Sequence, residues 1–158
     1  MLGSVSPAAL IRALDSLLIY EGRITKAKAL PRTQKETNIM PTWDDAPKNT
    51  RAVFEHLRLL AKRMRVETYG EIAAAIGMKE GREIAPVSLS HPLGFIRDEI
   101  CRPRGLPWLN VIAVRGDTWQ PGDSFLPPGV AFGNDEQILW RGAVLAVFAY
   151  PWESVEVE

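Results

Sequence analysis

Apolar residues recur at helical spacing in several separate stretches of the chain. Leu10, Ile11, Leu14, Leu17 and Leu18 form one stripe, opened by Ser6-Pro7 and closed by Gly22. Proline suits the first helical position because its missing N–H would have no intrahelical partner there. The stripe predicts an N-terminal helix over residues 6–21. Val53, Leu57, Leu60 and Met64 form a second stripe, on a helix from Asn49 or Thr50 to about Met64. Arg51, Arg58, Lys62, Arg63 and Arg65 fall largely outside that stripe and predict a basic outer surface. Thr68 followed three residues on by Glu71 is a capping box. Ile72, Ala73 and Ile76 then supply a short apolar face, and Gly77 reads as the helix stop. Another helix begins at Ser88 or Ser90 and carries Leu89, Leu93, Ile96 and Ile100 to about Arg102. Pro92 fits only in its first turn, and Gly94 reads as a point of close helix approach. Asn134 with Gln137 reads as a second capping box, opening a last helix to about Ala149 with Trp140, Val144, Val147 and Phe148 on its inner side.

Residues 23–50 lack periodicity and read as a basic, proline-containing loop with Lys26, Lys28, Arg32 and Lys35. Residues 109–114 are rich in β-branched side chains and read as a strand. Arg115-Gly116-Asp117 is a turn signal, and residues 119–125 read as the returning strand of a hairpin, or wing. The predicted class is α+β, mainly helical. It is a winged helix-turn-helix with a two-stranded wing, an N-terminal helical arm and a closing C-terminal helix. The arm and linker take residues 1–48, and the winged-helix domain takes residues 49–158. In that arrangement the helix after the turn enters a DNA groove. Ser88, Ser90, His91 and Arg97 are its candidates to reach nucleic acid.

Composition narrows the class without naming a function. The chain has 158 residues, 46% apolar and 24% charged, as a soluble globular domain does. No apolar run approaches the roughly 20 residues of a membrane span, and residues 1–7 lack a signal pattern. A cytoplasmic protein without membrane contact is the expectation. Cys101 is the one cysteine, which excludes an intramolecular disulfide. Net charge is zero, which weighs against a polyanion partner, but the charge is uneven. Residues 1–66 hold 12 Lys/Arg against 6 Asp/Glu, and residues 105–158 hold 2 against 7. One part of the chain suits a polyanion and the other faces away from it.

Three motifs carry a family resemblance: Thr68-Tyr69-Gly70-Glu71-Ile72-Ala73, Ser90-His91-Pro92-Leu93-Gly94, and Leu106-Pro107-Trp108-Leu109-Asn110-Val111-Ile112 followed by Gly116. Through them residues 52–125, about half the chain, resemble the DNA-binding domain of alkylguanine-DNA alkyltransferases and alkyltransferase-like proteins. True alkyltransferases carry the acceptor cysteine where this chain has Trp108, and the following His and Arg are Leu109 and Asn110. An indole accepts no alkyl group, and no histidine stands ready to activate a thiol. The resemblance therefore implies DNA binding without alkyl transfer. It implies that Tyr69 acts on the target nucleotide, and that Trp108 and Asn110 flank a base pocket, as Trp does in the alkyltransferase-like branch. His91 stands where the family places the arginine that fills the base stack, and its shorter, mostly neutral ring is a weaker plug.

Other chemistry finds little support. Cys101 lies near Arg102 and Arg104, which would lower its pKa, but neither His56 nor His91 is placed by the sequence to act as its base. No metal-ligand spacing and no phosphate-binding loop is present. The expectation is a protein that is not an enzyme and takes no cofactor. Its partner is double-stranded DNA, in repair, regulation or phage defence, with a homodimer through residues 6–21 as a further contact. Tyr69 and the first-turn amides from Thr68 to Glu71 contact phosphate. Arg102, Arg104 and Arg115 add electrostatic hold. The alternative is a winged-helix protein-interaction or dimerisation module without DNA binding.

Overall fold

The computed structural model describes residues 42–122, 125, 126 and 129–157. The expected 6–21 helix and most of the 23–50 loop lie outside the described residues. The described chain is α+β and mostly helical. Helix α1 (Thr50–Lys62) leads through strand β1 (Glu67–Thr68) into α2 (Tyr69–Glu80). A 3-10 turn at Pro86–Leu89, helix α3 (Ser90–Phe95), a π-helical stretch at Ile96–Cys101 and a 3-10 turn at Arg102–Arg104 follow without a break. A 3-10 turn at Leu109–Ile112 leads to strand β2 (Ala113–Val114). Helix α4 (Asn134–Ala149) and a 3-10 turn at Trp152–Ser154 close the fold.

The core sits between α1, α4 and the 109–114 segment. Val53, Phe54, Leu57, Leu60 and Ala61 bury one face of α1. Leu89, Leu93, Ile96 and Ile100 pack on it, as their spacing predicts. Met64 does not join the stripe: α1 ends at Lys62, and Met64 sits exposed at φ 51°. Arg58 also leaves the expected outer surface. It donates to the Trp152 carbonyl at 2.7 Å and lies over the Phe54 ring at 5.4 Å, pinning the C-terminal turn to α1. The Trp152 indole donates to the Val147 carbonyl at 2.7 Å, so α4, the closing turn and α1 hold one another.

Two expected helix ends move, each for a backbone reason. Helix α2 stops at Gly81, which takes φ 67°, and not at Gly77. Gly77 is buried, and a Cβ there would meet the Arg82 carbonyl oxygen at 2.6 Å, so its role is to let the chain double back. Helix α4 is capped by Gly133, whose N–H donates to the Glu136 carboxylate at 3.0 Å, in place of the expected Asn134–Gln137 box. Gly94 has open space around it and makes no close helix contact.

The expected hairpin is the largest correction. Residues 109–112 are helical, not strand, and residues 109–114 are all buried. A solvated two-stranded wing would alternate; here successive side chains pack under α1 and α4. The Trp140 indole donates to the Val111 carbonyl at 2.8 Å, fixing that packing. What remains of the strand, β2, pairs in parallel with β1, with Glu67 opposite Ala113 and Thr68 opposite Val114. The returning segment contributes one antiparallel bridge, Val114 to Pro121. Proline has no N–H for a ladder, which limits the pairing there.

The capping box of α2 forms as the sequence predicts. Thr68 Oγ1 accepts from the Glu71 amide at 3.2 Å, and the Thr68 amide donates to the Glu71 carboxylate at 2.8 Å. The Thr68 amide first, and second the Thr68 hydroxyl, which donates to the same carboxylate at 2.9 Å, hold the Glu71 carboxyl below its ordinary range. A lowered carboxyl stabilises the fold above its unfolded pKa, and that contribution is lost as pH falls through the folded value. Thr68→Ala should cost about 1 kcal/mol at neutral pH and flatten the acid limb of the Tm–pH profile. Thermal melts from pH 3 to 7 check both.

Candidate nucleic-acid interface

Three separated segments converge on one cleft of about 630 Å³, lined by Tyr69 and Gly70, by Pro86, Val87, Ser90 and Leu93, and by Arg115, Gly116 and Gly122. The parallel β1–β2 pair brings these segments together. It places the start of α2 beside the end of β2, so Tyr69 and Arg115 emerge next to one another. Gly122 closes against Tyr69: a Cβ there would lie 2.0 Å from the tyrosine hydroxyl. A side chain at this position would push the Tyr69 ring out of its place beside Gly122. Gly116 lies over Thr68, with a Cβ position 4.0 Å from the Thr68 Cβ.

Tyr69, Ser90 and Arg115 are the polar side chains among the lining residues, and among the described residues no carboxylate lines the cleft. Arg115 pairs at the rim with Asp117 at 3.5 Å, both well exposed. Such an exposed pair contributes little and is readily exchanged. Ser88 and His91 are exposed at the same end of the 86–104 helical run, although the Ser88 hydroxyl donates back to Ala85 at 2.7 Å. Of the first-turn amides, those of Thr68 and Glu71 are engaged in the capping box and do not face a ligand.

The remaining sequence candidates gather elsewhere. Arg97 is largely buried and pairs with Asp98 at 2.6 Å. Arg102 reaches the same carboxylate at 3.3 Å and lies over the Trp108 ring, 5.2 Å from its centroid. Arg104 donates to the Ile100 carbonyl at 3.4 Å. This second group owes its position to Pro103, which lacks an N–H and crowds the carbonyl four residues back. The helix widens before it, and the Arg102 amide bonds Arg97, five residues back. Trp108 is half-buried and Asn110 is 6% exposed; neither lines the cleft with Tyr69. The Asn110 side-chain oxygen is buried without a hydrogen-bond partner in the described structure.

Cys101 is fully buried, and desolvation pushes its thiol up to about 11, against the smaller opposing pull of the Leu109 amide and Arg104. The expected lowering by Arg102 and Arg104 is thus reversed by burial. Native protein at pH 7.5 should react with a thiol-selective disulfide reagent only after unfolding; fast modification of the folded protein would contradict the burial. Among the described residues no group of three or more His, Cys, Asp or Glu comes together as a metal-ligand set, and no helix is long and apolar enough to cross a membrane.

Sequence reading missed Pro86, Val87 and Leu93 as cleft walls and Gly122 as the partner of Tyr69. Spacing along the chain carried no sign of the last contact, because it depends on the parallel pairing of β1 and β2. Comparison with known proteins returns no matching family model, curated protein or solved structure.

Proposed function

We propose that the protein is a non-enzymatic DNA-binding protein of the alkyltransferase-like type, whose contact face is the cleft between α2, the start of α3 and the 115–122 segment. One observation carries the reading. Tyr69, Ser90 and Arg115, each picked out separately by the sequence as a DNA contact, come from three segments to line one cleft that presents donors and no described carboxylate. Hydroxyls and a guanidinium on a concave face match phosphate and sugar oxygens. The test is amide chemical-shift mapping with a 12-base-pair duplex. Shifts at Tyr69, Ser90, Gly116 and Gly122 support the reading; shifts confined to the Arg97–Arg102 group, or none, refute it.

A protein-interaction module is the second reading, favoured by Ile138 and Leu145 on α4, 51% and 48% exposed. Two apolar side chains seven residues apart lie on one helix face. Concentration-dependent sedimentation abolished by Leu145→Lys would favour it.

A further inference from the structure

Trp119 is the most exposed of the tryptophans, at 54%, and its backbone takes φ 55°. A bulky L-residue in the left-handed region is a true outlier, where glycine or asparagine sits without strain. The strain is held by the turn itself. The Trp119 amide donates to the Arg115 carbonyl at 2.9 Å, and the Arg115 amide donates to the Gln120 carbonyl at 2.9 Å. The Val114–Pro121 bridge closes the base of the same turn. The indole makes no ring–ring contact and its N–H has no hydrogen-bond partner among the described residues. A strained backbone holding an unpartnered aromatic ring outward suits recognition better than stability. The turn that carries it also supplies Arg115 and Gly116 to the cleft.

We infer that Trp119 is a stacking contact for a nucleobase, at the edge of the DNA held by the cleft. This rests on the DNA-binding reading. An indole face stacks on any base, so the contact is tolerant of sequence. It is strongest where a base is already unpaired, because no unstacking cost is then incurred. Arg115 on the same turn sets a guanidinium near the ring, as a contact for the backbone phosphate of a stacked nucleotide.

The test compares wild type, Trp119→Gly and Trp119→Phe for binding to a fully paired duplex and to one with a single-nucleotide bulge. Wild type is expected to prefer the bulged duplex by roughly fivefold or more. Trp119→Gly is expected to bind it roughly tenfold more weakly and lose the preference, with the salt slope kept and Tm unchanged or raised. Trp119→Phe retains most of the preference. Equal binding by wild type and Trp119→Gly overturns the inference and leaves the DNA-binding reading standing. A Trp119→Gly variant of lower Tm shows that the ring serves the fold, and also overturns it. Absence of duplex binding by wild type at low salt overturns both readings and points the exposed indole toward a protein surface.

Discussion

Phe54→Ala is expected to lower stability by about 3–5 kcal/mol, the cost of emptying a large aromatic site in a core. Phe54 is 1% exposed and central to α1. Its ring lies 5.4 Å from the Trp43 ring, and the Arg58 guanidinium also lies over it. Trp43 in turn donates to the Val157 carbonyl at 3.0 Å, and Arg58 to the Trp152 carbonyl. Removing the ring therefore leaves a cavity and loosens two anchors of the C-terminal segment together. Small domains have only about 5–15 kcal/mol in hand, so the variant should be close to its unfolding threshold at 37 °C. Urea denaturation gives the comparison. A loss below about 1 kcal/mol would mean that the site collapses without a cavity and that α1 is not the hub of the core.

Arg115→Glu is expected to weaken duplex binding roughly 10–100-fold, the range for removing a charge-assisted hydrogen bond. The guanidinium is the only charged group among the described residues lining the cleft, and its Asp117 partner is exposed. Reversal leaves two carboxylates facing phosphate, so the loss should exceed that of Arg115→Ala. The log–log salt slope should also fall by about 1 for the lost contact. Stability should barely move, because the side chain is 44% exposed. By contrast Arg97→Ala should change binding little, since that side chain is largely buried against Asp98. An Arg97→Ala loss matching that of Arg115→Glu would place the interface on the other group.

The helices were legible because each carries its own periodicity and punctuation. The Thr68–Glu71 box, the Leu89–Ile100 stripe and the span of α4 follow from local spacing, and the structure places them where that spacing does. The wing was misread for the same reason. Residues 109–114 look like a strand by composition, yet β preference expresses fit to a half-buried pleated surface. Wedged between α1 and α4, the first four residues coil instead. Gly77 illustrates a subtler miss: glycine after a short apolar face reads as a stop, but its contact with Arg82 becomes visible only once the chain returns. The cleft was half legible. Tyr69, Ser90 and Arg115 each stood out alone, but the β1–β2 pairing that unites them spans 46 residues between Glu67 and Ala113. Trp119 had no sequence signal beyond its place near a turn; its strained φ is a property of the folded turn.

On the proposed reading, the cleft binds duplex DNA through salt-sensitive contacts. Fluorescence anisotropy with a short labelled duplex, plain and carrying an alkylguanine, at two salt concentrations tests it most directly. Salt-sensitive binding is predicted for both duplexes, with Arg115→Glu weakened on both; tighter binding to the alkylated duplex would add lesion reading to the same claim. No binding to either duplex at low salt would contradict the claim and leave the exposed face of α4 as the better candidate for a partner.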